Sequence, residues 1–137
     1  MIGISKIHHI GIRVRDKHRA IAFYEGLGFA FIGDAGFESG RPVTMRHPSG
    51  IMLNLDGPSS EEKDENVLMD LDHKYAGYTH MALRVESLAA AEGFLAEKGI
   101  EISGRFSTTD MNAILIRDPD RNMLEFNEHR GDDIGAE

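Results

Sequence analysis

Ile7-His8-His9-Ile10-Gly11-Ile12-Arg13-Val14 returns, displaced by 71 residues, as Tyr78-Thr79-His80-Met81-Ala82-Leu83-Arg84-Val85. The same displacement, without a gap, pairs Ala20 with Ala91, Phe23 with Phe94, Gly28 with Gly99 and Gly33 with Gly104. It continues through Arg46 with Arg117, Pro48 with Pro119, Met52 with Met123 and Leu53 with Leu124. A series that runs through every segment, with the apolar pattern following it, marks two copies of one module.

Each copy has the same internal order. The quoted stretch is rich in β-branched residues and alternates in character, which predicts a strand. Asp16 then offers an N-cap, and Ala20, Phe23, Tyr24 and Leu27 recur at helical spacing before Gly28 stops the helix. Residues 29–33, 42–47 and 50–55 read as three short strands separated by turn residues. The second copy repeats this, with a strand near 78–85, Ser87 as N-cap and a helix carrying Leu88, Ala91 and Leu95 on one face. Gly99 ends that helix, and strands follow near 100–105, 112–117 and 122–127.

The expected fold is therefore α+β: two βαβββ modules whose curved mixed sheets form a cup. Module one spans 5–56, a connector 57–76, module two 77–128 and a tail 129–137, all within one domain of 137 residues. The connector opens as a polar, acidic, solvated run, after which Val67, Leu68, Met69 and Leu71 can pack back as a short element. It is long enough to bridge the modules or to act as a lid.

Composition narrows the partners. With 23 acidic against 15 basic residues, the formal charge of −8 disfavours nucleic acid and anionic membranes alike. Cysteine is absent, so neither disulfides nor thiolate metal sites are available. Met1 to Lys6 lacks the apolar run of a signal peptide, and no stretch approaches the ~20 apolar residues needed to span a bilayer. The expectation is a soluble, cytoplasmic protein.

Strand alternation sorts the polar residues. Ile10, Ile12 and Val14 share the face expected to meet the helix, which leaves His9, Gly11 and Arg13 on the other. In the second copy Met81, Leu83 and Val85 face the helix, and His80, Ala82 and Arg84 face away. Glu125, in Asn122-Met123-Leu124-Glu125-Phe126, lies among apolar neighbours, where a carboxylate is costly unless something positive meets it. A divalent cation held by His9, His80 and Glu125 answers that need, and two imidazoles with one carboxylate suit Fe(II) and its neighbours. Asn54, the repeat partner of Glu125, either offers an oxygen or leaves its position to water or substrate. Arg13 and Arg84 read equally as solvated strand residues or as anchors for substrate anions. His8 reads as packed or solvated, His18 and His129 as surface groups, and His47 as a turn residue before Pro48.

These residues resemble the vicinal oxygen chelate superfamily, which includes glyoxalase I, extradiol dioxygenases, methylmalonyl-CoA epimerase, fosfomycin resistance enzymes and bleomycin-binding proteins. The resemblance rests on His9-Ile10-Gly11-Ile12-Arg13-Val14-Arg15-Asp16, Ala22-Phe23-Tyr24, Leu27-Gly28-Phe29 and Tyr78-Thr79-His80-Met81-Ala82-Leu83. Asp118-Pro119-Asp120-Arg121-Asn122 and Leu124-Glu125-Phe126 extend it over nearly the whole chain except connector and tail. It implies His9, His80 and Glu125 as ligands of Fe2+, Mn2+, Ni2+ or Zn2+, with Glu125 also catalytic. The fourth family position falls on Asn54, where glyoxalase I has a glutamate; this counts against ordinary glyoxalase I activity. The resemblance implies a metal-dependent lyase or dioxygenase acting on an oxygen-chelating substrate, in a homodimer whose sites can combine two chains. The alternative is a metal-free, drug-sequestering protein of the bleomycin-resistance type.

Overall fold

The computed structural model describes residues 1–131. It divides into two compact units, Met1–Lys63 and Asp64–Glu137. The last six positions of the expected tail lie outside the described residues.

Unit one runs β1 (Ile10–Arg13), α1 (Lys17–Gly26), β2 (Ala30–Asp34), β3 (Val43–Arg46) and β4 (Met52–Asp56). Unit two runs β5 (His80–Arg84), α2 (Leu88–Glu97), β6 (Ile102–Ser107), β7 (Met111–Arg117) and β8 (Met123–His129). Displacing α1 by 71 residues gives α2 at both ends. The sheets are ordered β1-β4-β3-β2 and β5-β8-β7-β6. In each, the first and last strands run parallel and the remaining pairs antiparallel. Even the irregularity recurs, with a register shift at Phe31/Gly33 and again at Ile102/Gly104. The α+β reading with two βαβββ modules is borne out.

The helices start where the sequence offers an oxygen to their free N–H groups. Asp16 accepts from His18 N and Arg19 N, and Ser87 accepts from Ala90 N. Each helix lays its apolar residues on its own sheet. Ala20 and Tyr24 are buried in α1, Leu88 and Leu95 in α2. α1 packs on β2 and β3 and α2 on β7 and β8, where Val43, Met45, Ile114, Ile116 and Leu124 are buried. Burial of side chains of this size contributes about 1.5–3 kcal/mol each. After each helix, Gly28 and Gly99 take positive φ (104° and 70°), the left-handed turn that closes a helix most cheaply with glycine.

One segment differs from expectation. Phe37–Ser39 forms a 3-10 turn that buries Phe37 between β2 and β3, where a plain loop was expected. The second half of the connector is pinned. Asp70 takes both guanidinium nitrogens of Arg117 at 2.7 and 3.0 Å, while Asn66 Nδ2 donates to the carbonyl of Arg121. Asn66 Oδ1 accepts from Leu68 N and Met69 N, so the short element expected at 67–71 is a capped turn belonging to unit two.

Candidate metal centre

The strand faces follow the alternation. In β5, Met81 is buried while His80, Ala82 and Arg84 are exposed. β8 lies between β5 and β7, and its residues Met123 to Asn127 are all buried. That central place explains how a carboxylate comes to be only 4% exposed at Glu125.

Unit two gathers a chain of polar groups on one face. His80 Nε2 lies 3.2 Å from Glu125 Oε1. Asn127 Nδ2 donates to the other carboxylate oxygen, Oε2, at 2.7 Å. Asn127 Oδ1 in turn meets His129 Nε2 at 3.1 Å, and His80 Nδ1 meets Thr79 Oγ1 at 2.9 Å. Glu125, Asn127 and His129 alternate along β8, so strand periodicity alone puts them on one side. His129, expected as a surface group, is instead the half-buried last residue of β8 and a member of this chain.

His80 and Glu125 are two donors of the kind a divalent cation takes. Two donors each ~2.0–2.2 Å from one ion, at the angles of tetrahedral or octahedral sites, are themselves roughly 3 Å apart. The His80–Glu125 separation has that value. When Thr79 Oγ1 accepts the Nδ1 proton, His80 is left with its Nε2 lone pair toward Glu125, the tautomer that ligation requires. Asn127 holds the carboxylate by its remaining oxygen, the kind of outer partner that orients a ligating group.

Unit one repeats part of this. His9 precedes β1 instead of lying within it, and it is exposed. His8 Nδ1 meets His9 Nδ1 at 2.9 Å, so the residue before the histidine engages Nδ1 in both units. His8 is thus more than a bystander. Asn54 is half-buried; its Oδ1 accepts from Thr44 Oγ1 at 3.2 Å, and its backbone is in register with Gly11. Arg13 and Arg84 close β1 and β5, each exposed. Arg84 lines a cavity of about 360 Å³ with Val85, Glu86, Glu128 and His129, at the opposite end of its strand from His80. His47 is a turn residue as expected, its Nδ1 bound to Ser49 and its ring edge-on to Phe29.

Among the described residues, no three His, Asp or Glu side chains gather as a metal-holding group. What unit two brings together is the pair His80 and Glu125; His9 belongs to unit one.

Residues 6–126 match the family model of the Glyoxalase/Bleomycin resistance protein/Dioxygenase superfamily, and the chain belongs to that superfamily. A lactoylglutathione lyase of Schizosaccharomyces pombe is 27% identical over 139 residues, covering 91% of this chain. The chain spans only 45% of that relative's length. A glyoxalase/dioxygenase from Nostoc punctiforme superposes with a TM-score of 0.73 at 23% identity, over 94% of each chain. An antibiotic binding protein from a Streptomyces species superposes at 0.69 and 22% identity, over 95% of this chain and all of the other. Folds of this kind thus serve proteins described as enzymes and one described as a binder. No described helix is long and apolar enough to cross a membrane.

Proposed function

We propose that the protein is a divalent-metal-dependent enzyme acting on a small oxygen-chelating substrate, with His9, His80 and Glu125 as ligands. The observation that carries this reading is the buried Glu125 carboxylate, one oxygen held by Asn127 and the other 3.2 Å from His80 Nε2. A carboxylate desolvated to this extent needs a positive partner, and a cation supplies one. When bound, the metal supplies Lewis acidity toward neighbouring substrate oxygens. The chain's own part is to fix the donors. Thr79 and His8 set the ring tautomers, Asn127 orients Glu125, and Arg13 and Arg84 offer charge to an anionic substrate.

The lactoylglutathione lyase relative favours lyase chemistry. Asn54, where glyoxalase I carries a glutamate, points away from its ordinary proton transfer and keeps dioxygenase chemistry in the screen. Reconstitution with Fe2+, Mn2+, Ni2+ and Zn2+, followed by assay on catechols, hemithioacetals and epoxides, tests the reading. Turnover that needs a metal and disappears in Glu125→Gln supports it. A protein that binds none of the four ions, yet holds a small molecule stoichiometrically, belongs with the sequestering members instead.

The same reading extends to a homodimer whose sites combine His9 of one chain with His80 and Glu125 of another. Subunit exchange between His9→Ala and Glu125→Gln then restores one intact site per mixed dimer. A chain that stays monomeric in light scattering at assay concentration sinks this arrangement.

A further inference from the structure

Glu125 has apolar partners on both sides, Ala82 across in β5 and Leu115 across in β7. Neither side chain offers a donor. The carboxylate is met instead by His80 on the diagonal and by Asn127, the next residue on the same face of β8.

The bond to Asn127 fixes which way that amide points. An ionised carboxylate only accepts, so the Asn127 group 2.7 Å from Glu125 Oε2 is the NH2. Asn127 Oδ1 then faces His129 Nε2 at 3.1 Å. A carbonyl oxygen only accepts as well, so Nε2 is the nitrogen of the His129 ring that carries a proton. The order of donation is thereby set along the strand: His129 donates to Asn127, and Asn127 donates to Glu125. His129 is half-buried while Asn127 and Glu125 are buried, so the chain runs inward from solvent.

Unit one lacks the counterpart. Displacement by 71 residues takes Glu125 to Asn54, Asn127 to Asp56 and His129 to Pro58, which has no polar side chain. There Asn54 Oδ1 accepts from Thr44 in the neighbouring strand, and Asp56 turns Oδ2 toward Gly11, 2.8 Å from where a Cβ on that glycine would stand. The ordered chain belongs to the unit that buries a carboxylate. In that unit an amide turned end for end would set its carbonyl against Glu125, two acceptors facing each other in a buried place.

We propose that His129 is a positioning residue: its Nε2 proton holds the Asn127 amide in the orientation that fixes Glu125. This rests on the reading of Glu125 as a metal ligand, for which a carboxylate held at one oxygen keeps the other aimed.

The side-chain amide signals of Asn127 in the isotope-labelled full chain, assigned by their loss in Asn127→Ala, report both hydrogen bonds without metal. Mn2+ titration, read by the paramagnetic resonance of the free ion, adds the consequence. His129→Ala is expected to move the amide signals toward those of a solvated asparagine and to weaken Mn2+ binding about tenfold or more, as for an outer partner of a ligand. His129→Gln, whose terminal NH2 can stand in for Nε2–H, is expected to keep the signals displaced and to restore most of the affinity. Unmoved signals in His129→Ala give the amide to another donor, such as Arg84 in register with it, and overturn the proposal. A His129→Gln no better than His129→Ala makes ring shape the cause and overturns it too. In the wild type, ring-nitrogen spectra are expected to show His129 Nε2 protonated; an unprotonated Nε2 overturns the proposal even if no variant folds. Absence of Mn2+ binding by the wild type removes the metal reading, and the amide signals still decide the tie between His129 and Asn127.

Discussion

His80 Nε2 and Glu125 Oε1 meet at 3.2 Å along a diagonal of the parallel pair β5·β8. Neither is the other's direct neighbour, for His80 is in register with Met123 and Glu125 with Ala82. A diagonal contact lets two long side chains converge above the small methyl of Ala82 without crowding the strands.

Removing either member of that pair is expected to weaken divalent-metal affinity strongly. His80→Ala and Glu125→Gln should each reduce it by more than the ~10–100-fold typical of outer partners. His47→Ala should leave it unchanged, because that ring is engaged by Ser49 and Phe29. His8→Ala should fall between, since His8 touches His9 Nδ1. Isothermal titration of the four variants orders them.

Asn127→Ala is expected to cost stability as well as affinity. It strips a 2.7 Å hydrogen bond from a buried carboxylate and leaves that oxygen without its amide donor. The penalty for such a group is about 1–3 kcal/mol. Urea denaturation of the metal-free protein measures it, and a loss well below 1 kcal/mol would place water at that oxygen instead.

Asp118 is a structural acid. It is 2% exposed, and it accepts from Asp120 N, Asn122 N and Asn122 Nδ2 at 2.9–3.0 Å, shaping the turn that feeds β8. Asp118→Ala should destabilise by about 2–4 kcal/mol, one hydrogen bond to a charged group being worth ~1.5–3 kcal/mol. Thermal unfolding checks the size. Intact metal affinity in whatever folds would confirm that the turn serves the strand and not the ion.

At acidic pH, Asp34 is the group to watch. The Lys17 ammonium 2.7 Å away, with the N–H groups of Gly36 and Phe37, lowers its pKa to about 2. Its charge therefore adds stability above the unfolded value near 4, and the contribution is lost as pH falls toward 2. The gap in melting temperature between wild type and Asp34→Asn should be open at pH 6 and close between about 4 and 2. A gap independent of pH would assign the effect to shape.

The elements that could be read from sequence were those governed by local chemistry. Asp16 and Ser87 capped helices where expected, and strand parity put His80 and Arg84 on the open face. Glu125 was legible because a lone acid in an apolar run is conspicuous. His9 was misplaced by its strand, which begins only at Ile10, since strand ends depend on a partner's length as much as on propensity. Asn127 and His129 share parity with Glu125, a signal that was available but was masked by the expectation of a tail from 129. The Asp70–Arg117 anchor and the Asp56 carboxylate over Gly11 had no local signature. Both join residues far apart in sequence, and periodicity carries no information about such meetings.

The parallel closure of each sheet has a consequence for how the chain acquires its site in time. β5 emerges first in unit two, yet among the described residues its only ladder partner is β8, the last strand of that unit. β6, β7 and β8 can zip as successive hairpins, whereas β5 must wait for a long loop to close, a pairing for which entropy is spent before any contact rewards it. His80 and Glu125 therefore meet at the end of folding. A nascent chain halted before Met123 holds a finished α2 and a β6–β7 hairpin but exposes β5 and one side of β7 as unpaired edges, open to aggregation. The His80–Glu125 pair thus forms only once β8 has been made.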